Sequence, residues 1–408
     1  MSAGDWTEYK LGELCESVSV THKFNKRKLI FLNTGDIEKG KFLHREYSDV
    51  KPMPGQAKKT IRKNDILFSE IRPANGRYAL VDCDAEDYVV STKLMVIRGN
   101  DKILPKYLYF FLTSNTTTTW LQHLAESRSG TFPQITFDQV ADLDIHLPPK
   151  SMQKRISDFI SALDDKIELN GKTNATFEAI AHAIFKEWFV DFSFPGSTGE
   201  MQDSELGPIP KGWRVGGLGA LSYVQNGYAF KSSDFKDEGK IGIIKIKNIN
   251  SNIVDINDTQ FIEEYSVREL DKKFLIKPEA LLIAMTGAEV GKIGLVPYTD
   301  NDLWMNQRVG MFMEKISNSN FYLYILLSSE AYQETIRNSA LGSAQPNISS
   351  SAIENIKAIL PTEDLIVNYG NILKPIFENI LYNISQNHLL SRIRNSLLPR
   401  LMTGEIEV

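Results

Sequence analysis

Ile156-Ser-Asp-Phe-Ile160-Ser-Ala-Leu163-Asp-Asp-Lys-Ile167-Glu-Leu-Asn170-Gly-Lys-Thr-Asn174 places an apolar or amide residue at alternating spacings of four and three. Phe177, Ala181, Ile184 and Trp188 continue the series. A seam sustained this long reads as a coiled-coil helix rather than a core helix, since core helices rarely exceed ~25 residues. The helix would run about 40 residues, roughly 60 Å at the α-helical rise. The same seam returns as Tyr369, Leu373, Ile376, Ile380, Asn383, Asn387, Leu390, Arg394, Leu397 and Leu401, with its asparagines 213 residues after the first pair. Ile156, Ile160, Leu163, Ile167, Asn170 and Asn174 are therefore expected to pack helix on helix, together with Ile376, Ile380, Asn383 and Asn387. Amides on a seam lower stability and fix register. Arg394 breaks the apolar pattern, so its turn is expected to face water or a partner.

What precedes each helix is also duplicated. Trp6 followed by Leu11-Gly12-Glu13-Leu14 returns as Trp213 followed by Leu218-Gly219-Ala220-Leu221. Gly76-Arg77 aligns with Gly291-Lys292, and Tyr107-Leu108-Tyr109 with Tyr322-Leu323-Tyr324, both at 215. Pro133-Gln134-Ile135 faces Pro346-Asn347-Ile348, and Leu147-Pro148 faces Leu360-Pro361, both at 213. Strand-like runs such as Asp65–Ser69, Tyr88–Ile97 and Ile241–Ile246 alternate with Gly, Pro, Asn and Asp, and helical stretches punctuate them. The fold class is α+β: two repeated globular domains, each followed by a long helix. The expected divisions are 1–148, 149–193, 194–212, 213–361 and 362–402. The third of these, rich in Pro, Gly and Ser, reads as a linker.

Composition narrows the function. The 408 residues are 42% hydrophobic, with 46 Lys+Arg against 51 Asp+Glu. This argues for folded domains and against disorder. No apolar run is long enough to span a bilayer and no secretory leader is visible, so no membrane contact and a cytoplasmic location are expected. Two cysteines, Cys15 and Cys83, make neither a disulfide framework nor a four-ligand zinc site.

Catalytic motifs are few and fail on inspection. Gly35-Asp-Ile-Glu-Lys-Gly40-Lys41 has phosphate-loop spacing, but Phe42 stands where a Ser or Thr must hold magnesium, and Asp36 and Glu38 would place negative charge in an anion cradle. A strand-connecting turn is expected there. Gly287–Lys292 is one residue short of the same motif, and Gly216–Gly219 reads as a turn. The six histidines lack metal-ligand spacing. No nucleophile carries a local signature. No enzyme activity and no cofactor are expected.

The charge total hides a concentration. Residues 21–63 hold 12 basic and 4 acidic side chains, a local +8. Lys23, Lys26, Arg27, Lys28, Lys58, Lys59, Arg62 and Lys63 are the candidate contacts to DNA phosphates. The alternative is a solvated, mixed-charge surface. Arg77 and Lys93 join the set. The second domain is poorer in charge and richer in amides: Gln225, Asn226, Tyr228, Lys231, Lys245, Lys247, Lys292, Gln307 and Arg308. Asn and Gln can bridge adenine, and Arg guanine, in the major groove. Asn306-Gln307-Arg308 stands where Ser91-Thr92-Lys93 stands in the first half, as one site with two readings.

These strings, in this order and duplicated, resemble the specificity subunits of type I restriction–modification systems over essentially the whole chain. The resemblance rests on Trp6 and Trp213 opening each half, on Gly130-Thr-Phe-Pro-Gln and Gly342-Ser-Ala-Gln-Pro-Asn-Ile, and on Asp165-Lys-Ile-Glu-Leu-Asn170 leading to Phe185–Phe192. It extends to the linker Asp203–Trp213 and to Leu397–Ile406. It implies two target-recognition domains, each reading half of an asymmetric bipartite site in double-stranded DNA. It implies two long antiparallel helices acting as the ruler between them. It also implies two methyltransferase subunits and restriction/translocase subunits as partners, with no chemistry in this chain. For Trp188 and Phe189 two readings stay open, a docking surface and an intramolecular core. The unequal charge of the two domains departs from a generic member, and the competing class is a protein-binding repeat scaffold without DNA readout.

Overall fold

The computed structural model describes residues 6–128, 132–249, 252–340 and 346–407. Of the strings above, Gly130-Thr131 and Gly342–Gln345 lie outside the described residues. The chain forms two compact units. One combines Met1–Asp165 with Leu390–Val408, and the other is Lys166–Leu389.

In the first unit a four-stranded sheet runs Ser48–Asp49, Lys28–Leu32, Tyr88–Ser91, Ala57–Thr60. Its inner pair is parallel, with Tyr88 beside Ile30. A second sheet runs Cys15–Ser17, Leu94–Gly99, Ile66–Ser69, Tyr78–Leu80 and is antiparallel throughout. Ile66–Ser69, Tyr88–Ser91 and the first four residues of Leu94–Gly99 are buried on both faces, which is why they read as continuous apolar runs. The Gly35–Lys41 loop, as expected, is a turn between the short strands Ile37–Glu38 and Lys41–Phe42. Gly40 takes φ +93° there, against the Tyr109 hydroxyl.

The second unit repeats this plan. One sheet runs Gln260–Ile262, Ile241–Ile244, Asp302–Met305, Leu275–Ile276, again with a parallel inner pair. The other runs Ser222–Asn226, Val309–Glu314, Leu281–Ala284, Ile293–Leu295. An antiparallel ribbon closes each domain. Thr7–Lys10 pairs with Asp144–Leu147 in the first, and Arg214–Gly217 with Lys357–Leu360 in the second.

The long helices span Lys150–Phe185 and Glu363–Met402. Pro148 and Pro149 precede the first, and the buried Gln153 ties its start to the preceding segment by donating to the Pro148 carbonyl at 2.9 Å. In the second unit the two helices run antiparallel, because rising numbers on one meet falling numbers on the other. Asn170 Nδ2 donates to Asn387 Oδ1 and to Gln386 Oε1, each at 2.8 Å. Asn383 Nδ2 donates to Asn174 Oδ1 at 2.8 Å, and Asn174 Nδ2 to the Ile380 carbonyl at 3.2 Å. The four seam asparagines thus form one ladder of amides satisfied across the helix pair, which an apolar seam sliding in register would break.

Two expectations change and one open reading is resolved. Arg394 faces neither water alone nor a foreign partner: in the first unit its Nη1 lies 2.6 Å from Asp164 Oδ1 on the other helix. Trp188 and Phe189 are an intramolecular core. The helix ends in a π turn, Lys186–Val190, which turns both rings inward. The Phe189 centroid lies 4.9 Å from those of Tyr322 and Tyr369. On the second helix the seam is only part of the buried surface. Phe377, beside the half-buried Ile376, is fully buried, stacked 5.3 Å from Phe321 and edge-on 5.0 Å from Tyr324. That helix therefore buries a wide stripe, one side on its partner helix and one on its own globular domain.

The ladder makes a stability prediction. Asn174→Ala leaves the Asn383 amide and the Ile380 carbonyl without their partner, at a cost of about 1–3 kcal/mol. Asn174→Leu with Asn383→Leu removes donor and acceptor together and should recover most of that loss. Denaturant midpoints of the full chain measure both, and equal losses in the single and double variants would refute a coupled ladder.

Candidate nucleic-acid interface

In the second unit, Asn306-Gln307-Arg308 is the turn between Asp302–Met305 and Val309–Glu314. The Asn306 amide donates to the Ile244 carbonyl at 3.0 Å. The chain after Ser222–Asn226 lies against this turn, Gly227 N donating to Val309 O at 3.0 Å and Tyr228 N to Met305 O at 2.9 Å. The approach is so close that a Cβ on Gly227 would sit 2.1 Å from the Asn306 carbonyl oxygen. A third segment completes the group: Gly287 N donates to Pro346 O and Ile348 N to Met285 O, each at 2.9 Å, and Met285 N donates to Arg308 O at 3.0 Å. Ser350 Oγ reaches Asn226 Oδ1 at 2.7 Å. Asn226, Met285, Gln307, Arg308, Asn347, Ile348 and Ser349 line the resulting cavity of about 260 Å³. Gln225, Asn226, Tyr228, Gln307 and Arg308, dispersed in sequence, are thus brought together.

The first unit builds the same frame. Arg72 N donates to Pro133 O at 3.1 Å, Ile135 N to Glu70 O at 2.9 Å, and Glu70 N to Lys93 O at 3.2 Å. These bonds match those of Gly287, Ile348 and Met285, position for position. Ser17, Glu70, Met95, Gln134, Ile135 and Thr136, with Phe132 and Phe137, line a cavity of about 520 Å³.

The basic stretch 21–63 does not form one patch. Lys23, Lys58 and Lys93 gather at one end of their sheet, as the bonds His22 N to Lys58 O at 2.7 Å and Thr92 N to Gln56 O at 2.9 Å require. Lys26, Arg27 and Lys28 lie at the other end among acids. Lys26 pairs with Asp87, which raises its pKa, and Arg27 lies 3.7 Å from Asp49. Lys59 turns inward, its ammonium donating to the Leu94 carbonyl at 2.8 Å and to the Thr92 carbonyl at 3.1 Å, and burial lowers its pKa. Arg62 leans on Asp65 at 3.9 Å, beside the exposed Lys63. Arg77 clamps the neighbouring Gly35–Lys41 turn through the Ile37 carbonyl at 3.1 Å.

In the second unit Lys245 lies 3.3 Å over the Phe235 ring and donates to Gln260 at 2.6 Å, and burial lowers its pKa. Lys247 pairs with Asp258 at 2.8 Å, and Lys292 with Glu289. Lys23, Lys28, Lys58, Lys63, Lys93, Lys231 and Arg308 are exposed and have no ion-pair partner among the described residues. Cys15 is buried, and burial pushes its thiol up to about 12. Among the described residues no group of His, Cys, Asp and Glu could hold a metal ion, and no helix is long and apolar enough to cross a membrane.

The family model described as type I restriction modification DNA specificity domain matches this chain twice, over residues 3–179 and 210–384. The chain belongs to this family. It is similar to the type I restriction enzyme HindI specificity subunit of Haemophilus influenzae, at 35% identity covering 98% of this chain and 100% of that one. It also resembles the MjaIX specificity subunit of Methanocaldococcus jannaschii, at 27% identity over 76% of this chain and 70% of that one. The crystal structure of the type I restriction–modification S subunit from M. genitalium shares the fold, with TM-score 0.60, 16% identity, and coverage of 97% and 96%. Each of the two specificity-domain matches contains one of the two cavities.

Sequence reasoning missed Ser17, Glu70, Gln134 and Thr136 in the first specificity domain and Met285, Asn347 and Ser349 in the second. The signal that finds them is the repeat itself. Glu70 and Met285 stand 215 apart, as do Lys93 and Arg308, and Gln134 and Asn347 stand 213 apart.

Proposed function

We propose that this chain is the DNA-recognition subunit of a type I restriction–modification complex and reads a bipartite, asymmetric site without itself performing chemistry. The observation that carries this is the duplicated frame. The same backbone hydrogen bonds hold Glu70, Lys93 and Gln134 in one domain and Met285, Arg308 and Asn347 in the other. One frame used twice suits two half-sites, and different side chains on it suit two different half-sites. Exposed Lys23, Lys58, Lys93, Lys231 and Arg308 would supply phosphate or base contacts around the cavities. Two methyltransferase subunits would bring S-adenosylmethionine, and restriction/translocase subunits would join them, in the cytoplasm.

Genome-wide adenine-methylation mapping in a methylation-free host tests this reading, with cognate methyltransferase subunits expressed with and without this chain. The expected result is a two-part motif with unspecified bases between its halves, present only with the chain. Methylation independent of the chain, or methylation or cleavage by the purified chain alone, would overturn it. A complex that assembles but binds DNA without sequence preference would favour a protein scaffold instead.

A further inference from the structure

We propose that Glu70 and Met285, which occupy one position of the duplicated frame, are a specificity-determining pair that gives the two half-sites different base chemistry. In the first domain Glu70 accepts a hydrogen bond from an exocyclic amino group, cytosine N4 or adenine N6. In the second, the Met285 cavity offers no acceptor at that point, and Arg308 with Gln307 takes a base edge presenting acceptors. The inference rests on the DNA-recognition reading above and names the ligand chemistry of each cavity.

The argument begins with backbone. Glu70 N and O are both committed, to Lys93 O and Ile135 N, so the residue's position is fixed without help from its side chain. Met285 is held by the same two bonds. What differs is what each side chain presents. Glu70 lines the larger cavity with Ser17, Gln134 and Thr136; its carboxylate feels the charge of the inward-turned Lys59, but no side-chain hydrogen bond or ion pair within 4 Å ties it to another described residue. A partly buried acceptor held ready by a fixed backbone fits an amino donor. Carboxylates read cytosine N4 at base edges, whereas a keto oxygen placed there is repelled. The exposed Lys58 and Lys93 nearby offset the repulsion between this carboxylate and DNA phosphates. In the second cavity a thioether replaces the carboxylate, and the charged group is Arg308, whose fork matches guanine O6 and N7. The two cavities thus differ in the sign of what they present.

The test uses the full chain with its cognate methyltransferase subunits in a host lacking adenine methylation, with motifs mapped for wild type, Glu70→Gln, Glu70→Ala, Gln134→Ala and Arg308→Ala. Wild type should give a two-part motif, and its absence would sink the recognition reading and this inference with it. Given that motif, both Glu70 variants should relax one position of one half-site, from an amino-bearing base to mixed bases. The loss of discrimination should be about tenfold to a hundredfold, the range for one good base contact. Gln134→Ala, on a separate segment of the same cavity, should relax the same half-site. Arg308→Ala should relax the other half-site and leave the first intact. If the wild-type motif persists at full discrimination in both Glu70 variants, the inference is wrong while the recognition reading stands. If those variants stay folded but no longer co-purify with the methyltransferase subunits, so that methylation is lost altogether, the cavity holds a partner protein, and the inference is likewise overturned.

Discussion

Gly227→Ala should remove the second half-site from the recognition pattern and destabilise the second unit by about 3 kcal/mol or more, the upper range for overpacking. The added methyl would lie 2.1 Å from the Asn306 carbonyl oxygen and 2.7 Å from that of Met305, both backbone atoms with no rotamer to yield. The strand end and the turn must therefore separate. The hydrogen bonds of Gly227 to Val309 and of Tyr228 to Met305 go with them, and Gln225, Asn226 and Tyr228 leave the neighbourhood of Gln307 and Arg308. Thermal denaturation of the full chain should show the loss, and methylation mapping should show one intact half-site beside one degenerate one. Wild-type melting with an unchanged motif would mean that this close approach does not position the reading residues.

Asp65→Ala is the matching test in the first unit. Asp65 is fully buried and accepts Arg98 Nε at 2.7 Å and Nη2 at 2.8 Å, with the Arg62 amide at 2.8 Å. That two-pronged grip holds the Arg98 guanidinium above its usual pKa. It also ties the start of Ile66–Ser69 to Leu94–Gly99, the strands whose other ends carry Glu70 and Lys93. Removing the carboxylate strands a largely covered cation, which costs about 3–5 kcal/mol for a buried pair. Arg98 is 20% exposed, so the lower end applies. Asp65→Ala with Arg98→Met should recover part of the loss, because the stranded charge is gone. Equal destabilisation by the single and double variants would place the cost in the Arg62 turn instead of the ion pair.

The two seams were legible because their information is local in sequence: a period of seven survives any uncertainty about what the helix meets. The packing of the seam asparagines followed from the same spacing, and the duplicated domains from offsets that vary only between 207 and 215. Charge was the less reliable guide. A run of cations in sequence says nothing of which acids the fold sets beside them, so Lys26 and Lys59 looked alike, yet one pairs with Asp87 and the other caps strand carbonyls. Phe377 was passed over because a heptad reading assigns one buried face, and this helix has two. Glu70 was invisible as one acid among 51 and becomes informative only beside Met285, where the frame is kept and the side chain is not.

The first unit is discontinuous in sequence. Its core joins Leu11, Ile156 and Ile160 to Leu398, Leu401 and Met402, and Gly404 lies close against the Trp6 ring. On the ribosome, therefore, the domain made first cannot close its core until Leu398, Leu401 and Met402 emerge, whereas Lys166–Leu389 has all its own contacts earlier. Contacts that span nearly the whole chain are slow to form. An abortive product lacking only the final helical turns would carry a finished second domain and an open first one. Completion of the Glu363–Met402 helix thus becomes a checkpoint on whether the first domain can do its share of the reading.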